Sequence, residues 1–464
     1  MTRAPNVVYL HTHDSGRHVG PYGQRIPTPR MDQVASEGMV FHQAFSAAPT
    51  CSPSRAALLT GQLPHNAGMY GLAHRGWQLH EPSQHLATTL RDAGYRTAMV
   101  GVQHVSRQTP DVVAGLGYTD FLGDGRLAPE TAQAGADFVQ RHCEDNSDQP
   151  FFLSVGFIET HTMSINEYLF GYPPDGDLPV APAPTMPSTL DTRAEMGSFA
   201  AAALVADTAM GTVIDAVEAA GQTADTLLII TTDHGVAMPA MKCTLTDRGH
   251  GVMLIVRGPG GFAGGQESDS LVSQLDLYPT ICELAGIPKP AWLQGTSMLP
   301  LASDPSSRIR DRVFAEVTYH ASYEPKRTIR TDRYRYSRRY DERRTPVLPN
   351  IDNSLSKKLW VDNGYADHLL AGEELFDTLF DPNETVNLVE DCDYAGVVAQ
   401  LSAELTENMR CTGDPLLDGH VPLPEGIKDT PPDGYDPRLP AEVAAAGADV
   451  VTIPHPGRAP RLPV

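Results

Sequence analysis

Positive charge is scarce in this chain. Lysine and arginine number 35 against 57 aspartates and glutamates, a formal net charge of −22 at pH 7. That sign excludes a nucleic-acid polyanion as partner and means that an anionic substrate must find local cations. Cysteine is scarce as well: the six are scattered, without the close pairing of a zinc site, and nothing in their spacing requires disulfides. No apolar run is read as long enough for a signal peptide or a membrane span, so a cytoplasmic protein with no membrane partner is expected. Internal repeats are also missing. What remains is a 464-residue chain, 41% hydrophobic and 20% charged, the composition of a globular protein with a large core and a smaller appendage.

Four short apolar runs each end in polar residues with chemical potential. Asn6–Leu10 leads into His11, His13 and Asp14; Thr97–Gly101 leads into Gln103 and His104. Phe151–Phe157 leads into Glu159 and His161, and Thr226–Ile230 into Asp233-His234-Gly235. Continuous apolar runs suit strands buried on both faces. Helical patterns at Pro29–Glu37, Leu86–Ala93, Pro129–Cys143 and Glu195–Ala220 separate them. The alternation predicts an α/β fold: a large, mostly parallel sheet flanked by helices, with ligands bound beyond the carboxyl ends of the strands. Past residue 305 short, charged, tyrosine-rich strands predict a smaller α+β unit on a short antiparallel sheet. The expected boundaries are 1–305, 306–413, and a Pro-rich extended tail over 414–464 that lies on the surface or on a neighbouring subunit, which would make a homo-oligomer through the tail.

Cys51-Ser52-Pro53-Ser54-Arg55, followed by Leu59-Thr60-Gly61, is the most specific segment. A proline in the first turn opens a helix without losing a hydrogen bond. Cys51 then sits at the helix N-terminus, where free N–H groups favour an anion, and Arg55 follows one turn later on the same face. This segment resembles the sulfatase signature. Further likeness lies in Gly68-Met69-Tyr70-Gly71-Leu72, Ala93-Gly94-Tyr95-Arg96-Thr97, Pro150-Phe151-Phe152-Leu153, Asp233-His234-Gly235, Gln274–Thr280 and Leu375-Phe376-Asp377. The chain is similar to sulfatases of the alkaline-phosphatase-like superfamily, and within them to the heparan N-sulfatase branch.

The resemblance implies that Cys51 is oxidised by formylglycine-generating machinery to an aldehyde whose hydrate attacks sulfur. It implies one divalent cation held by Asp14, Asp233, His234 and residue 51. His13 stands where relatives usually have aspartate, and either joins that shell or turns away. Calcium is the family expectation; manganese or zinc suits a shell with His13 and His234 in it. Arg55 and Lys242 are expected to stabilise the sulfate oxygens, and His161 or His104 to protonate the leaving group. Relatives carry Gly-Lys-x-His where this chain has Gly101-Val102-Gln103-His104, so one cation is missing. Arg75, Gln103, His250 and His320 are candidate substrate contacts. The implied function is hydrolysis of a sulfate ester or sulfamate, on a small anionic substrate such as an N-sulfoglucosamine-like sugar of glycosaminoglycan type. The competing readings are a phosphonate or phosphate ester hydrolase on the same scaffold, and a non-catalytic glycan-binding relative.

Overall fold

The four apolar runs become neighbouring strands of one sheet. Asn6–His11, Arg96–Gly101, Phe151–Gly156 and Thr226–Thr231 are buried along nearly their whole length, as strands covered on both faces must be. The computed structural model describes residues 4–438 apart from 126, 146–147, 164–167 and 176–179. Its main sheet has eight strands in the order Asp120–Phe121, Arg96–Gly101, Phe151–Gly156, Asn6–His11, Thr226–Thr231, Leu254–Arg257, Met39–Phe41 and Gln266–Ser268. Pairing is parallel except around Leu254–Arg257, which runs against both neighbours. Register aligns His11 with both Gly156 and Thr231, and Gly101 with Gly156. Four strands therefore end level, and the loops that follow them share one edge.

Successive residues of each strand face opposite cores. Val7, Tyr9, Met99, Phe152, Leu227 and Ile229 join one hydrophobic cluster, which includes Ala56 and Leu59 of the helix Cys51–Thr60. Val8, Leu10, Val100, Leu153, Leu228 and Ile230 join the other, with Phe138 and Val213. That second face is covered by the helices Ala128–Glu144 and Leu190–Ala219, which pack on each other. Leu190–Ala219 corrects one expectation. At 30 residues it is long and apolar enough to cross a membrane by length and composition alone. In the fold it is a core helix, apolar because Val213, Ile214 and Val217 lie under the sheet.

The C-terminal sheet is antiparallel and four-stranded: Arg312–Tyr319, Tyr323–Thr331, Tyr334–Arg339 and Glu373–Asp377, in that order. Its arginines are explained by ion pairs, among them Arg330 with Asp247 of the larger unit and Arg335 with Glu384. The helix Ala395–Thr412 packs on this sheet. Beyond it the chain runs extended to residue 438, and the rest of the expected tail, 439–464, lies outside the described residues.

Glu195, on the long helix, accepts a hydrogen bond from Ser356 N at 3.1 Å and so caps the helix Leu355–Asp362. Burial raises its pKa from 4.5 to about 7, although these backbone donors pull the other way. An acid whose pKa rises on folding holds its proton more tightly in the native state. Stability is therefore lost as pH climbs from the unfolded value through about 7. Urea unfolding at pH 5 and pH 8 should show the wild type losing roughly 1–3 kcal/mol more than Glu195→Gln across that window. Equal losses contradict the assignment.

Candidate active site

The helix Cys51–Thr60 opens on Cys51 itself, after an extended Thr50, with Pro53 in the first turn, where its missing N–H leaves no bond unmade. Every residue of this helix is buried. Ser54 Oγ donates to Asp233 O at 2.6 Å, and Ser52 Oγ accepts from Ala73 N at 3.0 Å. These bonds fix the helix against the strand end on one side and the following loop on the other.

Arg55, one turn below Cys51, reaches under the strand ends. Its guanidinium donates to Asp233 Oδ2 at 3.0–3.2 Å, to Thr12 O at 3.0 Å, and meets His11 Nδ1 at 2.5 Å. It is 2% exposed and does not line the cleft described below, so it holds Asp233 in place instead of facing the space expected for sulfate.

Five donors converge above it. His13, Asp14, Cys51, Asp233 and His234 are all buried and offer ligand atoms within 4.8 Å of one another. Asp14 adopts φ 55°, which turns its backbone N–H onto Asp233 Oδ1 at 2.8 Å. His13 has not turned away: its Nδ1 is 2.7 Å from Asp14 Oδ1 and 3.2 Å from Asp233 Oδ2. His234 Nδ1 lies 3.0 Å from Gly235 O and donates to it, in the tautomer that leaves Nε2 facing Asp14 Oδ1 at 3.2 Å and Cys51 Sγ at 3.3 Å. A carbonyl fixing the far nitrogen is how ligating histidines are oriented. Two buried carboxylates, two imidazoles and residue 51 fit a divalent cation. Burial lowers the His13 pKa to about 4, against the pull of Asp233 and Asp14, so its imidazole is neutral and able to ligate. Burial raises the Asp233 pKa, yet His13, His234 and Arg55 bring it well below the usual carboxylate range. Burial also pushes the Cys51 thiol up, with Lys242 opposing.

A cleft of about 680 Å³ opens over the cluster, lined by Cys51, His74, Arg75, His104, His161, Lys242, His320 and Asp352 together with parts of the loop at Leu72 and of the tail. Lys242 Nζ donates to Asp14 Oδ2 at 2.9 Å and to Asp352 Oδ2 at 2.8 Å. His104, at φ 60°, lies 3.3 Å from His13 Nε2. His161 puts Nε2 3.9 Å from Asp14 Oδ2. Two expected contacts are placed elsewhere. Gln103 donates to Ser106 O at 2.9 Å and accepts from Val105 N at 2.7 Å, which shapes its own loop. His250 is buried on Phe45 and near Ser46 O. Arg75 does line the cleft, but its guanidinium donates to Ala321 O and Thr430 Oγ1, both at 3.2 Å. Asp352 and the tail residues were missed by sequence reasoning, because nothing local marks a lone aspartate or a proline-rich tail as facing a site some hundreds of residues away.

The Sulfatase family profile matches residues 5–287, more than half of the chain. The chain belongs to the Sulfatase family. The profile "N-sulphoglucosamine sulphohydrolase, C-terminal" matches residues 242–353 of this sulfatase. Among curated proteins, N-sulphoglucosamine sulphohydrolase of Homo sapiens is 28% identical over 478 residues, covering 92% of this chain and 93% of that protein. The solved structure of a 2-O GAG sulfatase superposes with TM-score 0.71 at 22% identity, over 93% of this chain and 96% of the other. Phosphonate monoester hydrolase of Agrobacterium radiobacter superposes with TM-score 0.66 at 19% identity, over 92% and 100%. These likenesses show the alkaline-phosphatase-like fold, and the family makes the sulfatase a sulfuric ester hydrolase that uses a divalent metal.

Removing the Arg55 fork leaves Asp233 charged and buried within the cluster. Arg55→Met should cost about 3–5 kcal/mol in urea unfolding, as for a broken buried pair. A loss below about 1 kcal/mol, the size of a surface pair, rejects this role for Arg55.

Proposed function

We propose that this sulfatase releases sulfate from a sulfated sugar, as an ester or a sulfamate, with Cys51 converted to formylglycine. One observation carries the reading: of the five clustered donors, Cys51 alone also faces the cleft among the described residues. A group that must meet both metal and substrate belongs there. The sugar is suggested by the human N-sulphoglucosamine sulphohydrolase, which matches along nearly the whole chain.

Asp14, Asp233 and His234 would hold the cation with residue 51, and His13 completes the shell. Two imidazoles among the donors favour Mn²⁺ or Zn²⁺ over Ca²⁺. The bound cation would neutralise sulfate oxygens, and the hydrated aldehyde would supply the attacking oxygen. The remaining work falls to side chains on the cleft wall. Lys242, held between Asp14 and Asp352 on the cleft wall, would bind a sulfate oxygen. His161 Nδ1 lies 2.8 Å from Thr162 O, and its Nε2, 3.9 Å from Asp14 Oδ2, is the nitrogen offered to the departing alcohol or amine. His104 keeps His13 aligned from the opposite side. Arg55 is a positioning residue that acts through Asp233. A second reading, phosphonate ester hydrolysis, is favoured by the fold match to phosphonate monoester hydrolase, and relative turnover of an aryl sulfate and an aryl phosphonate ester separates the two.

In protein made with formylglycine-generating machinery, the peptide holding Cys51 should exchange one sulfur and two hydrogens for one oxygen. Cys51→Ala should lower sulfate release by about 10³-fold or more while the protein stays folded. Near-normal turnover by the variant sinks the nucleophile assignment. Elemental analysis should find manganese or zinc in the wild type, and lose it in Asp14→Ala and Asp233→Ala. Calcium in the wild type would place His13 outside the shell.

A further inference from the structure

The chain from Glu425 to Arg438 crosses the mouth of the cleft, and it is fastened there at several points. Arg75 donates to Thr430 Oγ1 and to Pro437 O, Thr430 N donates to Ala321 O at 2.9 Å, and Ser322 Oγ donates to Thr430 O. Lys357 Nζ donates to Tyr435 O at 2.6 Å, and Asn353 Nδ2 to Asp436 Oδ2 at 2.9 Å. Gly426, Ile427, Lys428, Pro437 and Arg438 thereby become part of the cleft wall.

The charges on this strap are sorted. Between residues 425 and 438 stand four acids, Glu425, Asp429, Asp433 and Asp436, and two bases, Lys428 and Arg438. Both bases line the cleft and none of the acids does. Asp433 pairs with Arg343, and Asp436 holds Arg438 by two bonds of 2.8–2.9 Å that fix its direction. That pair offsets the charge of Arg438, so on a chain of net charge −22 it is Lys428 that brings a cation to the mouth. The one carboxylate on the lining, Asp352, is already paired with Lys242. A second observation points to a ligand. His320, on the same wall and 6% exposed, has a buried Nδ1 without a hydrogen-bond partner among the described residues. A buried polar atom left unsatisfied in the free protein is costly unless a ligand completes it. The cleft volume also falls in the range for a whole small molecule, not a lone sulfate.

We infer that the strap builds a second anion subsite. It receives a negatively charged group of the substrate other than the sulfate being cleaved, a carboxylate or a further sulfate. Lys428 supplies the charge, Arg438, whose own charge is offset by Asp436, supplies N–H donors, and His320 a hydrogen bond. The inference rests on the sulfatase reading of the cleft and names the substrate class: sugars with two anionic groups.

Binding isolates the subsite from turnover. In a Cys51→Ala background, calorimetry with N-sulfoglucosamine, N,6-disulfated glucosamine and a 2-O-sulfated hexuronate gives affinity ratios of doubly to singly charged sugars. Lys428→Gln with Arg438→Gln should cut at least one of those ratios about tenfold, the size of a charge-assisted hydrogen bond. The sugar whose ratio falls identifies the second group as sulfate or carboxylate. Unchanged ratios, a uniform loss for all three sugars, or no initial preference for two charges overturn the subsite. Absence of sulfate release by the wild type from any of the sugars, with the ratios falling as expected, would instead count against the hydrolytic reading alone.

Discussion

The Asp233 carboxylate is the interaction on which the rest of the site depends. One of its oxygens accepts the Asp14 and His234 backbone N–H groups, at 2.8 and 2.9 Å, and the other meets His13 and Arg55. A buried carboxylate is tolerable only when it is paired and hydrogen-bonded. Here the pairing supplies structure as well. It ties the ends of two adjacent parallel strands, the helix Cys51–Thr60 and the first-strand loop to a single point. Asp14 is turned into a left-handed backbone conformation to join it. The helix N-terminus, the five clustered side chains and the cleft floor are therefore registered to one another before any ligand arrives, which is the preorganisation that electrostatic catalysis requires.

The edge of the sheet could be read from sequence because parallel strands buried on both faces announce themselves as unbroken apolar runs. Asn6–His11, Arg96–Gly101, Phe151–Gly156 and Thr226–Thr231 all fall within a residue or two of their apolar runs. Of the polar residues after those runs, His13, Asp14, His104, His161, Asp233 and His234 stand at the cluster or the cleft, whereas His11 meets Arg55 and Glu159 accepts from Ala128 N and Tyr172 Oη. Local pattern carries such residues because strand direction fixes where the next residues go. The same rule fails one step further out. Gln103 and His250 sit beside chemical residues in sequence, yet Gln103 is occupied by its own loop, and His250 packs on Phe45 near Ser46 O, far away along the chain.

Arg55 shows a subtler limit. Its helical spacing from Cys51 was legible, and the shared face is observed. Whether an arginine on that face points up to substrate or down to a carboxylate depends on what lies below, which is the end of a strand 178 residues away in sequence. Asp352 and the strap over 425–438 depend wholly on such long-range placement, since a lone aspartate and a Pro- and Gly-rich tail carry no periodic signal. The long helix Leu190–Ala219 errs the other way: its composition alone reads as a membrane span, and only packing under the sheet makes it a core element.

The most direct test of the account is a high-resolution crystal structure, with anomalous data, of metal-replete protein made in a host with formylglycine-generating machinery. The account predicts one cation peak among Asp14, Asp233 and His234, and an oxygen-bearing side chain at position 51 that faces both the cation and the cleft. An intact sulfur at position 51 with no cation among those three residues would contradict it.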